Sequence, residues 1–370
     1  MAPLRVGIVG IGNISGIYLK NLSLYRSTTV VAVADLERER AEAAAKEHNV
    51  PNVLSPDELI ESPEVDLVLN LTIPAAHGPV ALQAVKAGKH VYNEKPLSVT
   101  LEQAQELIWT AKTNGVLVGC APDTFLGAGI QTCREVIDRG DIGKPVAGQA
   151  FMLSRGPEPW HPSPDFFFKP GGGPMLDMGP YYLTALVNLL GPIKRTTGIS
   201  AASFETRIVG SGPRKGDMIT VETPTHVSGV IEFQQGTVCE ITTSFDVHFG
   251  YLPPITIYGS DGTLRVGDPN QFGDAVEIRT PGDSDWKPVK LERPFSQNSR
   301  GIGVLDMAHA IQSGRAHRAS GDLACHVLET MLSFTKSSVE GRHQMIATPV
   351  ERPAALSADE FKDDVPVGAV

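Results

Sequence analysis

Arg5-Val6-Gly7-Ile8-Val9-Gly10-Ile11-Gly12-Asn13-Ile14-Ser15 runs from an apolar strand through a glycine turn into a helix. That context is the one a dinucleotide fingerprint requires. Gly10 permits the tight turn, and Gly12 lets the backbone come close to a pyrophosphate. Free N–H groups at the helix start then face the anion. The third position is Ser15 instead of glycine, a departure from the pattern. Its side chain is small enough for close helix–strand packing, and Gly16 adjoins it. A glycine pair alone also joins strands to helices in chains that bind no nucleotide, so the neighbouring elements carry the reading.

Those neighbours alternate. Helix-type runs at residues 15–24, 37–48, 78–87 and 101–114 separate strand-type runs at 5–10, 28–35, 65–71, 90–93 and 116–119. Strands alternating with helices of this length predict βαβ units and a parallel sheet. Asp35 closes the second strand, 25 residues after Gly10. A carboxylate there hydrogen-bonds both ribose hydroxyls and repels a 2′-phosphate, which favours NAD over NADP. The competing reading is a strand-end acid that caps the next helix. Arg38 and Arg40 follow closely and are placed to hold adenine or a phosphate.

After about residue 122 the rhythm changes. Helix patterns cover residues 129–139 and 181–190, the latter ended by Gly191-Pro192. Runs 227–233 and 238–247 flank Gln234-Gln235-Gly236-Thr237, and runs 255–259 and 263–266 flank Ser260-Asp261-Gly262. Both read as hairpins, the second with an Asp-Gly turn. Residues 303–313 and 324–340 return to helix. From Pro349 the chain is rich in proline and acids without periodicity, an extended arm or a disordered tail. The expected division is a nucleotide-binding domain over 1–122, a substrate and oligomerisation domain over 123–348, and the arm or tail over 349–370.

Size and charge bound the partners. A chain of 370 residues is enough for roughly two domains. Hydrophobic residues at 41% and charged residues at 20% fit an ordinary globular protein. A net charge of −10 gives nucleic acid no electrostatic help. No apolar run approaches the ~18 residues a membrane span needs. The start enters a strand pattern without a basic and then apolar leader, so a cytoplasmic protein is expected. Cys120, Cys133, Cys239 and Cys325 lie far apart without a Cys-x-x-Cys pair. No metal site or disulfide framework is expected, only buried thiols.

Two further stretches carry chemistry. Glu94-Lys95-Pro96 ends a strand-like run, and Gly171-Gly172-Gly173-Pro174-Met175-Leu176-Asp177-Met178-Gly179-Pro180-Tyr181 lies downstream. With Gly10-x-Gly12, Asp35, Asn70-Leu71-Thr72-Ile73-Pro74, His77 and Ala87-Gly88-Lys89-His90-Val91-Tyr92-Asn93, these stretches resemble the Gfo/Idh/MocA family. Its members include glucose–fructose oxidoreductase and inositol dehydrogenase. Ile257-Tyr258-Gly259-Ser260-Asp261-Gly262-Thr263-Leu264 looks like the family's second-domain hairpin. The resemblance covers roughly residues 4–345.

The resemblance implies an α/β protein. A doubly wound parallel Rossmann sheet comes first, then a C-terminal α+β domain with a large open, mostly antiparallel sheet. That sheet often makes dimer or tetramer contacts, and the active site lies between the domains. Gly10, Gly12, Asn13, Ile14, Asp35, Arg40, Thr72, Pro74, His77, Glu94 and Lys95 are expected to bind the cofactor, NAD rather than NADP. Members usually place an Asp, a Gly two residues later and a His two later again, the His being the proton acceptor. Here that register gives Asp177, Gly179 and Tyr181, so tyrosine replaces histidine, as in glucose–fructose oxidoreductase.

Removing hydride from a secondary alcohol requires a base within reach of the hydroxyl and a group that stabilises developing negative charge. A phenol with a pKa near ~10 needs help at neutral pH, and a neighbouring ammonium supplies it. The expected arrangement has Tyr181 exchanging the proton and Lys95 polarising the substrate oxygen while lowering the phenol's pKa. Asp177 holds a substrate hydroxyl or orients Lys95. Against this stand plain readings: Tyr181 as a half-buried anchor, Asp177 as a helix-start acid, and Tyr182 as the true partner. Pro96 is a candidate cis proline.

The stretch Arg155-Gly156-Pro157-Glu158-Pro159-Trp160-His161-Pro162, followed by Phe166-Phe167-Phe168, reads as a substrate loop. Trp160 and His161 are its expected contacts, the alternative being a loop packed by its own aromatics. Asp123 and His248 are weaker pocket candidates. Many relatives carry an arginine motif where this chain has Cys120-Ala121-Pro122-Asp123-Thr124-Phe125, so substrate identity does not carry over directly. The expected function is hydride transfer between NAD and a secondary alcohol of a sugar, polyol or related cyclic alcohol. Dihydrodiol dehydrogenation and a non-catalytic NAD(P)-binding regulator are the alternatives.

Overall fold

The computed structural model describes residues 2–365. Its first sheet has the strand order β3-β2-β1-β4-β5-β6, all pairs parallel. The elements run β1 (Leu4–Val9), α1 (Ser15–Leu22), β2 (Thr28–Ala34), α2 (Arg38–His48), β3 (Asn52–Val53) and α3 (Pro56–Glu61). Then come β4 (Leu67–Asn70), α4 (Pro74–Lys86), β5 (His90–Asn93), α5 (Leu101–Asn114) and β6 (Val118–Cys120). This is the doubly wound Rossmann order. The order in which strands are added reverses between β1 and β4, and the turns after those strands open onto one crevice. β4 is buried along its whole length, as a central strand covered on both faces must be.

Two elements here were not expected. β3 has two residues, too few to show a period. α3 begins with Pro56 and with a capping box in which Ser55 accepts from Glu58 N–H while the Glu58 carboxylate accepts from Ser55 N–H. α4 starts at Pro74, four residues before the expected start, because proline suits a first helical position.

The second sheet has nine strands in the order β16-β15-β14-β13-β7-β12-β11-β8-β17. Its elements are α6 (Ala128–Arg139), β7 (Pro145–Leu153), α7 (Pro174–Asp177), α8 (Gly179–Leu190), β8 (Ile193–Ala201), β9 (Thr206–Ile208), β10 (Met218–Thr220), β11 (His226–Phe233) and β12 (Val238–Ser244). They continue with β13 (Ile255–Gly259), β14 (Thr263–Val266), β15 (Val276–Arg279), β16 (Lys287–Val289), α9 (Ile302–Ser313), α10 (Gly321–Glu340) and β17 (Gln344–Met345). β9 and β10 form a separate two-stranded ribbon. Both expected hairpins are present, β11 with β12 and β13 with β14. Only β7 and β12 pair in parallel, so the sheet is mixed and mostly antiparallel. α10 packs on it through Phe334, whose ring fills the space that side chains at Gly198 and Gly229 would occupy.

The two sheets share one hydrophobic core. The returning chain runs along the edge of the first sheet, where Cys120 N–H donates to the Ala319 carbonyl at 3.0 Å. Asn21 of α1 donates to the carbonyls of Asn298 and Arg300 at 2.9 and 2.8 Å.

The segment after Pro349 lies along the protein through residue 365; residues 366–370 lie outside the described part. Leu356 and Phe361 are buried in the core. Glu360 pairs with Arg318 at 2.6 Å, and Asp364 accepts from Ser27 N–H at 2.8 Å. Scattered apolar residues without a period anchor an extended arm as well as they do a helix, which is why composition alone left both readings open. No described helix is long and apolar enough to cross a membrane.

Candidate active site

A cleft of about 670 Å³ opens at the carboxyl ends of β1, β4 and β5 and is closed on the other side by residues 166–181. Every residue expected to bind the cofactor lines it: Gly10, Gly12, Asn13, Ile14, Asp35, Arg40, Thr72, Pro74, His77, Glu94 and Lys95. Arg38 does not; it faces solvent and pairs with Glu42.

The turn after β1 is fitted closely. Gly10 has φ +96°, and a Cβ on it would stand 2.8 Å from the backbone of Leu71 and Thr72. Only glycine satisfies both demands. Gly12, by contrast, faces open space with nothing within 4 Å. No side chain caps the start of α1. Ser15 N–H turns back to the Gly12 carbonyl at 3.1 Å, and no side chain occupies the N–H groups that follow it, where the helix dipole also favours an anion. Asp35 braces this turn: one carboxylate oxygen accepts from Ile11 N–H at 2.7 Å, the other from Glu37 N–H at 2.8 Å. It thus holds the bend that leads into α2 and still lines the cleft, and each oxygen retains a lone pair. Leu36 and Ile73, 95% and 69% exposed, offer apolar faces at the cleft rim without covering of their own. These features fit a dinucleotide: an open glycine, an uncapped helix start, a carboxylate at the strand end and apolar walls.

The floor is built from locked strand ends. Asn70 Nδ2 donates to Asn93 Oδ1 at 3.0 Å, tying β4 to β5, and Thr72 Oγ1 donates to Asn70 Oδ1 at 2.6 Å. His77 is buried, with its ring nitrogens facing the Pro96 carbonyl at 2.7 Å and the Thr72 carbonyl at 3.0 Å. Burial pushes its pKa down against the pull of those two carbonyls. Its polar atoms join two turns of the cleft wall. Glu94 accepts from the Tyr18 hydroxyl at 2.8 Å and from Lys95 N–H at 2.9 Å. The Lys95–Pro96 bond is cis, as is Ala121–Pro122.

Across the cleft, the glycines before α7 let the chain approach closely. A Cβ on Gly172 would stand 2.4 Å from the Phe166 carbonyl. That approach delivers Asp177 to Lys95. Lys95 Nζ donates to the Asp177 carbonyl and to Asp177 Oδ1, both at 2.8 Å, and lies 5.2 Å from the centre of the Tyr181 ring. Burial pulls the Lys95 pKa down, but the charges of Asp177, Tyr181 and Glu94 with the Asp177 hydrogen bond outweigh it, and the ammonium is favoured. For Tyr181 the balance goes the other way. Burial raises the phenol's pKa more than Lys95 and Arg300 lower it. The contribution of Lys95 thus has the expected sign, but the net shift is upward, not downward.

Several expected site residues lie elsewhere. Trp160 is 66% exposed and does not line the cleft. His161 packs edge-on against Phe166 and Phe167, with ring centres 5.5 and 5.4 Å away, so it supports the loop from behind. The loop instead reaches the cleft through Phe166 and Phe167. Its aromatics pack on one another before they reach the site, which no local pattern reveals. Asp123 is buried and accepts from Gly301 and Gly303 N–H at 2.8 and 3.0 Å, holding the start of α9. His248 is exposed beside Phe249. Tyr182 turns away from the cleft and donates to the Phe151 carbonyl at 3.3 Å, so of the two tyrosines only Tyr181 lines the cleft. Leu36, Ile73 and Leu176 also line the cleft and were not foreseen, because isolated apolar residues carry no motif.

Comparison with known proteins gives a consistent result. Residues 4–121 match the model for the NAD-binding Rossmann fold of the Gfo/Idh/MocA oxidoreductase family, and residues 130–265 match that family's C-terminal domain. The chain is 26% identical to myo-inositol 2-dehydrogenase of Thermotoga maritima over 70% of its length and 74% of the relative's. It is 27% identical to 1,5-anhydro-D-fructose reductase of Ensifer adhaerens over 93% and 99%. Its fold superposes on an NAD-binding oxidoreductase from Klebsiella pneumoniae with a TM-score of 0.81 at 22% identity, covering 94% of this chain and 100% of the other.

Proposed function

The chain belongs to the Gfo/Idh/MocA family of NAD-binding oxidoreductases, and we propose that it transfers hydride between NAD and a secondary alcohol of a sugar, polyol or related cyclic alcohol. The observation that carries this reading is the meeting of Lys95, Asp177 and Tyr181 on the cleft wall opposite the open glycine turn. The named activities of the inositol and anhydrofructose relatives support the substrate class.

NAD, when bound, supplies the hydride acceptor. Gly12 and the start of α1 would hold the pyrophosphate, and Asp35 would meet the ribose with the lone pairs left beyond Ile11 and Glu37. Leu36, Ile73 and Arg40 would line the adenine end. Lys95 spends two donors on Asp177 and keeps a third for the substrate oxygen. Tyr181 takes the hydroxyl proton as the C–H hydride leaves. Phe166 and Phe167 exclude water from the far side.

Tyr181→Phe should lower turnover by about 10²–10⁴-fold while leaving NAD binding intact. Stopped-flow absorbance of reduced cofactor, over a panel of cyclic polyols and sugars, measures it. Near-normal turnover would remove Tyr181 from the reaction. NAD binding without turnover on any polyol, sugar or dihydrodiol would favour the regulator instead.

For assembly, we propose a homodimer or homotetramer formed through the nine-stranded sheet. Exposed Ile199, Val230 and Val146 on its strands support this. Sedimentation velocity tests it, and a monomer would refute it. The four buried, unpaired cysteines support a reducing cytoplasmic setting.

A further inference from the structure

The loop that brings Phe166 and Phe167 to the cleft is packed apart from the core that the two sheets share. Phe167 and Phe168 are buried in a second, smaller cluster with Phe245, which follows β12, and with Val209 and Ile219 of the β9–β10 ribbon. Main-chain hydrogen bonds join loop and ribbon: Gly210 N–H donates to the Glu158 carbonyl and Glu222 N–H to the Phe168 carbonyl, both at 2.8 Å. Arg214 grips the Asp165 carboxylate with both terminal nitrogens.

Arg207 of β9 is the node of this cluster. Its side chain is only 2% exposed. Nη1 donates to Glu158 of the loop at 2.9 Å, and Nη2 donates to the Phe245 carbonyl at 2.9 Å and to the Asp246 carboxylate. The guanidinium also lies 5.4 Å from the centre of the Phe168 ring. Loop, ribbon and the end of β12 thus meet on one planar group. Arg155 stands 3.3 Å from Glu158, so two cations face two acids and the charges balance. The Thr225 hydroxyl donates to the second Asp246 oxygen at 2.8 Å. A buried ion pair adds little net stability over apolar packing of the same volume, but a rigid fork of donors fixes the direction of everything bonded to it.

We infer that Arg207 is a positioning residue for substrate selection, fixing from the ribbon where Phe166 and Phe167 stand in the cleft. The inference rests on the cleft being the site of the alcohol oxidation proposed above. Arg207 does not line the cleft itself. It acts through Glu158 and Phe168, which bracket the two phenylalanines in the chain. The turns expected to hold the cofactor belong to the first sheet, so a change at Arg207 should reach the alcohol and not NAD.

The test compares the wild type with Arg207→Met and Arg207→Lys. Rates on myo-inositol, D-glucose and 1,5-anhydro-D-glucitol are read as reduced cofactor, and NAD binding is read by titration calorimetry. In Arg207→Met the KM for the best of the three should rise about tenfold or more, with a smaller fall in kcat. The order of kcat/KM among the three should shift, while the Kd for NAD stays within about twofold. Arg207→Lys keeps the charge but not the fork, and should recover part of the loss. Without any substrate, the anisotropy of Trp160 emission, taken by difference from the same proteins carrying Trp160→Phe, should fall in Arg207→Met as the loop loosens. If Arg207→Met does not fold, Asp246→Asn should show smaller changes in the same directions. Unchanged KM and anisotropy, a fall in kcat alone, or an equal loss of NAD affinity overturns the inference. Absence of wild-type turnover on every sugar and cyclic polyol refutes the proposed reaction instead, and the anisotropy then still decides whether Arg207 holds the loop.

Discussion

Asp123 shows how a single side chain can be misread from sequence and then make a prediction of its own. The sequence leaves it as a weaker candidate for the pocket. In the structure it is buried, and desolvation pushes its pKa up to about 6 against the pull of the Gly303 and Gly301 N–H groups. The folded state therefore holds this proton more tightly than the unfolded chain, whose aspartates titrate near ~3.9. By linkage its contribution is most favourable below the unfolded value and is lost as pH rises through about 6. Asp123→Asn keeps an acceptor for the two amides and removes the titration. Denaturant unfolding should show the wild type gaining on the variant as pH falls from about 7 to 5, by at most about 1.4 kcal/mol for each pH unit. A pH-independent difference would place the proton elsewhere.

The glycine turn between β1 and α1 separates structural from functional demands within one element. Gly10 is constrained by its own φ of +96° and by the backbone of Leu71 and Thr72 2.8 Å away. Gly10→Ala should destabilise the fold by more than about 1 kcal/mol and weaken NAD binding as a consequence. Gly12 meets nothing within 4 Å in the free protein. Gly12→Ala should melt within a degree or two of the wild type yet bind NAD at least about tenfold more weakly, because the new methyl occupies the approach of the pyrophosphate. Thermal melts with titration calorimetry decide both, and unchanged NAD affinity in Gly12→Ala would move the pyrophosphate elsewhere. Elements such as α5 and the β13–β14 hairpin were legible because cap, period and turn agreed along a short stretch. β7 and β8 were not, since their alternation is irregular and their pairing partners are distant: β7 lies between β12 and β13. α3 carried a legible signal in Ser55-Pro56-Asp57-Glu58 that its shortness concealed.

At the scale of the molecule, the arm over 349–365 fastens both sheets' layers together. Arg134 of α6 donates to the Pro353 carbonyl, Arg318 pairs with Glu360, and His309 with Asp364 at 2.6 Å. Burying Leu356 and Phe361 contributes about 1.5–3 kcal/mol each. A chain ending at residue 350 should therefore lose several kcal/mol of unfolding free energy in chemical denaturation, where removing a tail without contacts would change nothing. The alternation of strands and helices with its parallel sheet, the glycine turn, the acid at the end of β2 and the lysine after β5 followed from the sequence alone. Each is specified locally, by a hydrophobic period, a turn that only glycine tolerates or a residue at a strand end. Tertiary structure alone decided that Asp177 meets Lys95, that Phe166 and Phe167 rather than Trp160 and His161 reach the cleft, and that Tyr181 rather than Tyr182 faces it. Those contacts join segments far apart in the chain, and their partners are chosen by packing of whole elements, which no local pattern encodes.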